Sequence, residues 1–464
     1  MRCSRALAPL LLALGLVACG GGGEGSTPGA PAGLERPNVL FVTLDTLRAD
    51  HLGCYGYFRE TSPRLDALAD ESVLFEHCTV PMATTLPSHV SMLTSTWPLE
   101  HGVLANVTHG GKAFAISPGL VPLSKTLSDA GYRTGAFISA KPLRPNSGIQ
   151  AGFEHFDDSE GPERDGAITV TRALEWLRQD EPRPFFLWVH LFDPHSPFTP
   201  KPGYAGRFEA DADLDAWLAE RDVAEVSRRP GGAVVPTKPS TDDYDAEILY
   251  TDAQVGRLLD ALDELGVAER TAVMVVTDHG EGMGQHGEPG HGLVWQEQVR
   301  AAWILHVPGL APRRVSETVS TVDVFPTLLG RVAIPGVESF LEQASGIDAL
   351  AVGFEGRPLF SQSSARLVEY GQPVIYTLTR DRWRYHWLGD ERGLLFDLTT
   401  DPHELADVAA EHPELVKRLR DELLGTIAEL AARGGELGAG EAVPLDAATL
   451  QALRDLGYTS TDDE

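Results

Sequence analysis

Three widely separated segments end in groups that can move protons or hold a cation. Asp45 follows Asn38-Val39-Leu40-Phe41-Val42-Thr43-Leu44, and Asp278-His279 follows Thr271-Ala272-Val273-Met274-Val275-Val276-Thr277. Asp193-Pro194-His195 closes a run that begins Phe185-Phe186-Leu187-Trp188-Val189-His190. A fourth segment, residues 81–97, carries Thr84, Thr85, Pro87, Ser88 and His89. Pro87 suits the first turn of a helix running through Leu93, which places Thr85 just before that helix's N-terminus. Unpaired N–H groups and the positive dipole end collect there, a setting for an anionic substrate and an oxyanion nucleophile. Taken alone, the segment reads first as an ordinary N-cap at Thr84 or Thr85.

The elements that would position these groups are legible. Each of the three runs is nearly continuous in apolar and β-branched residues, as expected of a strand buried on both faces of a parallel sheet. In open α/β sheets ligands bind beyond the carboxyl ends of such strands. Tyr244, Ile248, Val255, Leu258, Leu259 and Leu262 recur at helical spacing, which predicts a long amphipathic helix over Asp243–Leu265. Ser62-Pro63 predicts a helix through Leu68, with Ser62 as N-cap. Alternating strands and helices make the class α/β. Beyond residue 355, short strands at 373–379, 383–388 and 394–398 and a helix at 413–433 predict a small antiparallel sheet-and-helix subdomain, 356–433. Residues 434–464 read as an acidic, glycine-rich tail.

The 464 residues hold 38 Lys and Arg against 67 Asp and Glu, a formal net charge of −29. Nucleic acid is excluded as a partner on that balance, because phosphate contacts need clustered cations. Hydrophobic residues make up 42% and charged residues 23%, ordinary globular composition. No apolar run reaches the ~18–20 residues needed to cross a bilayer.

Arg2 and Arg5 precede an apolar stretch, Ala6–Ala18, of signal-peptide length. It ends Leu16-Val17-Ala18-Cys19, which resembles the lipobox of bacterial lipoproteins. The expectation is a signal peptide over 1–18, lipid on Cys19, and a flexible Gly-rich tether over 19–36. The mature chain would sit on the bacterial cell envelope, at a periplasmic or outer-membrane face. Cys54 and Cys78 then remain in a compartment that permits disulfides, and the sequence leaves their pairing open.

The ordered set of motifs resembles the sulfatase family of the alkaline phosphatase superfamily. Pro37-Asn38-Val39-Leu40, then Asp45-Thr46-Leu47-Arg48-Ala49-Asp50-His51-Leu52-Gly53-Cys54-Tyr55-Gly56, is similar to its first metal-binding segment. Thr85-Leu86-Pro87-Ser88-His89 falls on its Cys/Ser-x-Pro-Ser-Arg nucleophile motif. Thr277-Asp278-His279-Gly280-Glu281 with His286-Gly287 and His291-Gly292 falls on the second metal segment, and Thr321–Leu329 on the segment that closes the main domain. The resemblance implies an alkaline-phosphatase-like α/β/α sandwich with a mostly parallel central sheet, here residues 37–355. It implies one divalent ion (Ca, Mn or Zn) held by Asp45, Asp278, His279 and the Thr85 oxygen, a set that does not choose among those metals. His195 and His291 are the implied catalytic acids, and His89 and Lys141 the implied substrate-binding residues. A second metal on Asp193, His195 and His291 stays open.

Two departures matter. Sulfatases oxidise the Cys or Ser to formylglycine, but the Thr85 carbinol carbon carries a methyl group and cannot become an aldehyde, so no formylglycine is expected. A Thr here is similar to the nucleotide pyrophosphatase/phosphodiesterase branch, where it attacks phosphorus directly. Thr46 stands where classical sulfatases carry a second liganding Asp. The favoured reading is a metal-dependent hydrolase of sulfate or phosphate esters, acting on a small-molecule, glycan or lipid ester. A phosphoryl or phosphoglycerol-type transferase and a non-catalytic binding lipoprotein are the alternatives. Loops 141–165 and 196–242 are expected to set specificity. His190 reads equally as a buried structural histidine, His286 as a loop residue, and Arg48 as the partner of Asp50.

Overall fold

A computed structural model describes residues 34–108, 111–158, 161–208, 212–221, 237–287, 289–389, 393–438 and 443–444. The expected signal peptide, Cys19 and most of the tether and tail lie outside the described residues.

Eight strands form the central sheet: β1 (Asn38–Leu44), β2 (Val73–Thr79), β3 (Arg133–Ile138), β4 (His155–Asp157), β5 (Phe185–Leu191), β6 (Thr271–Thr277), β7 (Arg300–His306) and β8 (Arg313–Ser320). Their order is β8-β2-β7-β6-β1-β5-β3-β4. Every neighbouring pair is parallel except the two made by β7, which runs against both β2 and β6. The three expected core strands are β1, β5 and β6, adjacent and parallel at the centre. Every residue of all three is buried. Their side chains alternate between two cores. Phe41, Phe186, Trp188, Met274 and Val276 face one layer with Val90, Leu93 and Phe325. Leu40, Val42, Leu187, Val189, Val273 and Val275 face the other with Leu174, Tyr244, Ile248 and Leu258. Each such side chain contributes ~1.5–3 kcal/mol on full burial.

The covering helices are α1 (Pro63–Asp70), α2 (Thr85–Thr94), α3 (Gly166–Leu177) and the long α4 (Thr237–Glu264). Ser62 holds the cap position of α1 but does not cap it. Its hydroxyl donates to Asp66 at 3.0 Å, and the free N–H groups of Arg64 and Leu65 go instead to the Asp252 carboxylate on α4.

The C-terminal sheet gains a strand that the sequence did not reveal. β9 (Leu359–Gln362) pairs with β10 (Tyr376–Arg380), followed by β11 (Trp383–Trp387) and β12 (Gly393–Asp397), all antiparallel. α5 (Pro413–Leu437) runs past the expected end at 433, with Leu419 and Leu423 packed beside Trp97, Phe360, Leu378, Tyr385 and Leu395. Leu34–Glu35, within the expected tether over 19–36, pairs with Val332–Ala333. Cys54 and Cys78 are both free thiols, so the open question of their pairing resolves against a disulfide.

Glu404 fastens the C-terminal subdomain to the main sheet. It accepts from Gln296 N at 2.7 Å and from His386 Nε2 at 2.9 Å, and lies 3.4 Å from Arg384 Nη1. Burial alone would raise its pKa, but Arg384 and His386 outweigh it and hold the carboxyl at about 2. The stabilisation is therefore fully present above the ordinary value of 4.5 and fades as pH falls toward 2. Glu404→Gln is expected to lower unfolding stability by ~3–5 kcal/mol at pH 7, as for a broken buried pair, and to do less as pH falls through that window. Urea unfolding across a pH series measures both.

Candidate active site

The carboxyl ends of β6, β1 and β5 deliver Asp278, Asp45 and His190 to one place. The strand ladder continues through the turn, with Asp45 N donating to Leu191 O at 2.9 Å and Asp278 N to Leu44 O at 3.2 Å. These bonds fix the backbone that carries the acids. Gly280 belongs to the same turn, and a Cβ there would lie 2.0 Å from Glu297 O, so no larger residue fits.

α2 enters from the opposite side. Thr85 is its first residue, and Ser88 Oγ donates to Asp278 O at 2.6 Å, which pins the helix to the end of β6. The N-cap reading holds in position only, at Thr84. Neither Thr84 nor Thr85 makes a side-chain cap bond, and the free N–H of Leu86 goes to Asn106 Oδ1 at 2.9 Å. The Thr85 hydroxyl is thereby left unused by the helix.

Asp45, Thr85, His89, His190, Asp278 and His279 are all fully buried. Seven atoms there make no hydrogen bond of ordinary geometry: both Asp45 oxygens, Thr85 Oγ1, Asp278 Oδ2, His279 Nε2 and both His190 nitrogens. They face one another at contact distances. His279 Nε2 lies 3.5 Å from Asp278 Oδ2 and 3.8 Å from Asp45 Oδ1, and His190 Nε2 lies 3.3 Å from Asp45 Oδ2. Leaving so many buried polar atoms unpaired costs ~1–3 kcal/mol apiece or more. Burial raises the Asp45 carboxyl to about 7, although His195 and the neighbouring Thr85 hydroxyl pull it down. Burial and then the Asp45 charge push Asp278 well up, and burial pulls His279 well down. Two reluctant carboxylates and a neutral imidazole within 4.8 Å of one another could hold a divalent cation. Asp45, Asp278 and His279 fit the ion that the sequence led us to expect.

A second trio, His89, His190 and Asp278, meets the same spacing and shares Asp278 with the first. The sequence left His190 at even weight. Its place was nevertheless encoded, since it alternates with Phe186 and Trp188 and so shares their face with α2. By contrast, the trio Asp193, His195 and His291 does not assemble. Asp193 turns away, taking Lys201 Nζ at 3.0 Å and Gly166 N at 3.2 Å.

His195 and His291 face each other across the site, with their Nε2 atoms 3.3 Å apart. His195 Nδ1 lies 2.6 Å from Ser196 O and His291 Nδ1 lies 3.2 Å from Ala83 O. Both Nδ1 atoms therefore carry the proton, and both Nε2 atoms are turned to the site. His89 departs from the expected substrate-binding role. Its ring lies between Thr85 O at 2.8 Å and Thr43 Oγ1 at 3.0 Å, so both nitrogens are occupied within the protein. Lys141 is half-buried just beyond the end of β3, in a short turn next to α2. Thr46 has become a tether. Its amide donates to Asp278 Oδ1 at 3.1 Å and its hydroxyl to Pro194 O at 2.8 Å. Arg48 pairs with Asp50 through two bonds, 2.9 and 2.8 Å, as expected. His286 bridges Glu297 Oε1 at 3.1 Å and Glu404 O at 3.2 Å, away from the acids. Glu281 went unassigned in the sequence. It is buried beside Asp45, and burial followed by the Asp45 charge raises it to about 8.

The sulfatase family model matches residues 37–334. Mouse iduronate 2-sulfatase is 26% identical over 387 residues, 64% of this chain and 69% of its own length. Two solved structures share the fold at 21% identity. A putative sulfatase from Bacteroides fragilis matches with TM-score 0.74, covering 89% of this chain and 99% of its own. Phosphonate monoester hydrolase from Agrobacterium radiobacter matches with TM-score 0.66, covering 85% and 96%. A parallel sheet that gathers buried acids and imidazoles at its carboxyl edge, carried on this scaffold, makes the chain a member of the sulfatase family of the alkaline phosphatase superfamily, a hydrolase of sulfate or phosphate esters.

Proposed function

We propose that Thr85 is the nucleophile and that the preferred substrates are phosphomonoesters or phosphodiesters. One observation carries this reading. The Thr85 hydroxyl is fully buried at the first turn of α2 and is turned to the Asp45 carboxylate, whose pKa it lowers, instead of to a helix N–H. A threonine kept only for structure would spend that hydroxyl on a cap. A sulfate ester is the substrate class that the similarity to iduronate 2-sulfatase supports instead.

Asp45, Asp278, His279 and Thr85 Oγ1 would hold one divalent ion, calcium, manganese or zinc. When bound, it lowers the pKa of the hydroxyl and offsets charge on the transferred group. Thr85 Oγ1 attacks phosphorus, and the new O–P bond forms as the ester P–O bond breaks. His195 Nε2, which carries no proton while Nδ1 donates to the Ser196 carbonyl, takes the Thr85 hydroxyl proton and passes it to the leaving oxygen. His291 Nε2 lies within reach of the same proton. Water then attacks the phosphothreonine, His195 Nε2 takes the proton of that water, and Thr85 regains its hydroxyl as phosphate leaves. His89 holds the Thr85 carbonyl, so it acts as a positioning residue. Lys141 is the candidate to hold a substrate oxygen.

Turnover of matched aryl sulfate, phosphomonoester and phosphodiester substrates tests the reading. Thr85→Ala should lower kcat by roughly a thousandfold or more, the scale seen for lost nucleophiles, and Thr85→Ser should keep phosphoesterase activity. Sulfate cleavage that outpaces phosphate cleavage would overturn the substrate assignment. Metal stripping supplies a second test. The wild-type Tm should fall on chelation, while Asp45→Asn should abolish that difference and raise the Tm of stripped protein, because one buried charge is gone.

We place the chain on the bacterial cell envelope through lipid at Cys19, and the Leu16-Val17-Ala18-Cys19 segment supports this. Among the described residues no helix is long and apolar enough to cross a membrane. Cys19→Ser should move the protein from the membrane to the soluble fraction, and an unchanged membrane fraction would contradict the anchor.

A further inference from the structure

A second polar cavity lies at the seam between the main sheet and the C-terminal subdomain. Its volume is about 140 Å³, and its walls include Arg48, Asp50, Glu297, Arg221, Arg300, His77 and His403. At ~30 Å³ per liquid water this is room for roughly five waters. None of the proposed metal ligands, nor Thr85, His195 or His291, lines it.

The charge balance of this cavity runs against that of the chain. Three guanidinium groups meet two carboxylates in a protein whose formal net charge is −29. Both carboxylates are already engaged. Asp50 accepts from Arg48 at 2.8 Å and Arg221 at 3.3 Å, and Glu297 holds His286 at 3.1 Å. Arg300 makes no ion pair among the described residues. Its Nη2 reaches only the Glu76 carbonyl at 3.2 Å, and its Nε has no hydrogen-bond partner. Burial lowers His77, and Arg300 lowers it further; burial lowers His403, and Arg221 lowers it further.

The donors come from four separate places: His77 on β2, Arg221 after the helix Ala212–Glu220, Arg300 at the start of β7, and His403 beyond β12. Donors converging from several sides suit a tetrahedral oxyanion, whereas a planar carboxylate is matched by a single flat fork. We propose that this seam cavity is a binding site for a sulfate or phosphate group, held chiefly by Arg300 and Arg221 between His77 and His403. The group is either a free inorganic ion or the charged end of a larger molecule. The site is separate from Thr85 and stands whether or not Thr85 is the nucleophile.

Histidine ring proton shifts, assigned with His77→Gln and His403→Gln, read this site directly in the full chain. Inorganic sulfate and inorganic phosphate are titrated against chloride at matched ionic strength, followed by phenylphosphonate as a group carried on a larger molecule. The expected result is a saturable shift of both imidazoles toward the protonated form, absent with chloride. Arg300→Met should weaken it about tenfold, the effect of one lost charge-assisted hydrogen bond. If Arg300→Met fails to fold, Arg221→Gln serves the same purpose. Saturation by sulfate or phosphate identifies a free ion, and saturation by phenylphosphonate alone identifies a carried group. Shifts equal to those in chloride, or indifferent to both arginine variants, would overturn the proposal.

Discussion

The architecture depends on a debt of buried polar atoms at one edge of the sheet. Three parallel strands, β6, β1 and β5, are sealed on both faces, so nothing polar can leave them until their carboxyl ends. There Asp278, Asp45 and His190 emerge within a few ångströms of one another, fully buried and largely unpaired. A protein held together only by hydrophobic burial would not keep that arrangement, because unpaired buried charge opposes folding. A divalent cation bound there would turn the same atoms from mutually repelling into cooperating.

The surroundings are organised to keep those atoms unpaired. Asn106 relieves Thr85 of capping duty, Ser88 locks α2 onto the Asp278 backbone, and Thr46 steers Asp278 by one of its two oxygens. His89 spends both nitrogens on Thr85 O and Thr43 Oγ1. Carbonyls of Ser196 and Ala83 orient His195 and His291 in the same manner. Each partner acts on a backbone, on the rear of a ring or, for Asp278, on one carboxylate oxygen, leaving the other atoms clear. Remote, rigid support of this kind is what a preorganised site requires.

Sequence reading succeeded where burial dictates composition. The runs at 38–44, 185–191 and 271–277 are almost wholly apolar or β-branched because both faces are covered, and the acids beyond them were visible for that reason. Thr85 was placed by Pro87. The pattern failed where a partner comes from far along the chain. Nothing near Ser62 announces that Asp252 caps α1, and nothing near Leu86 announces Asn106. Asp193 sits beside His195 in sequence, yet Lys201 draws its carboxylate elsewhere. β2 carries Glu76 and His77 in mid-strand, which obscured it, and no local pattern encodes that β7 runs against its neighbours. His190 needed only the alternation with Phe186 and Trp188 to be placed correctly.

The central claim is that the transferred group passes through Thr85 and then to water. The stereochemical course at phosphorus tests it most directly, using a phosphodiester made chiral by sulfur and oxygen isotopes. Two successive in-line displacements predict net retention of configuration. Net inversion would mean that water attacks the substrate in one step, and it would contradict the account.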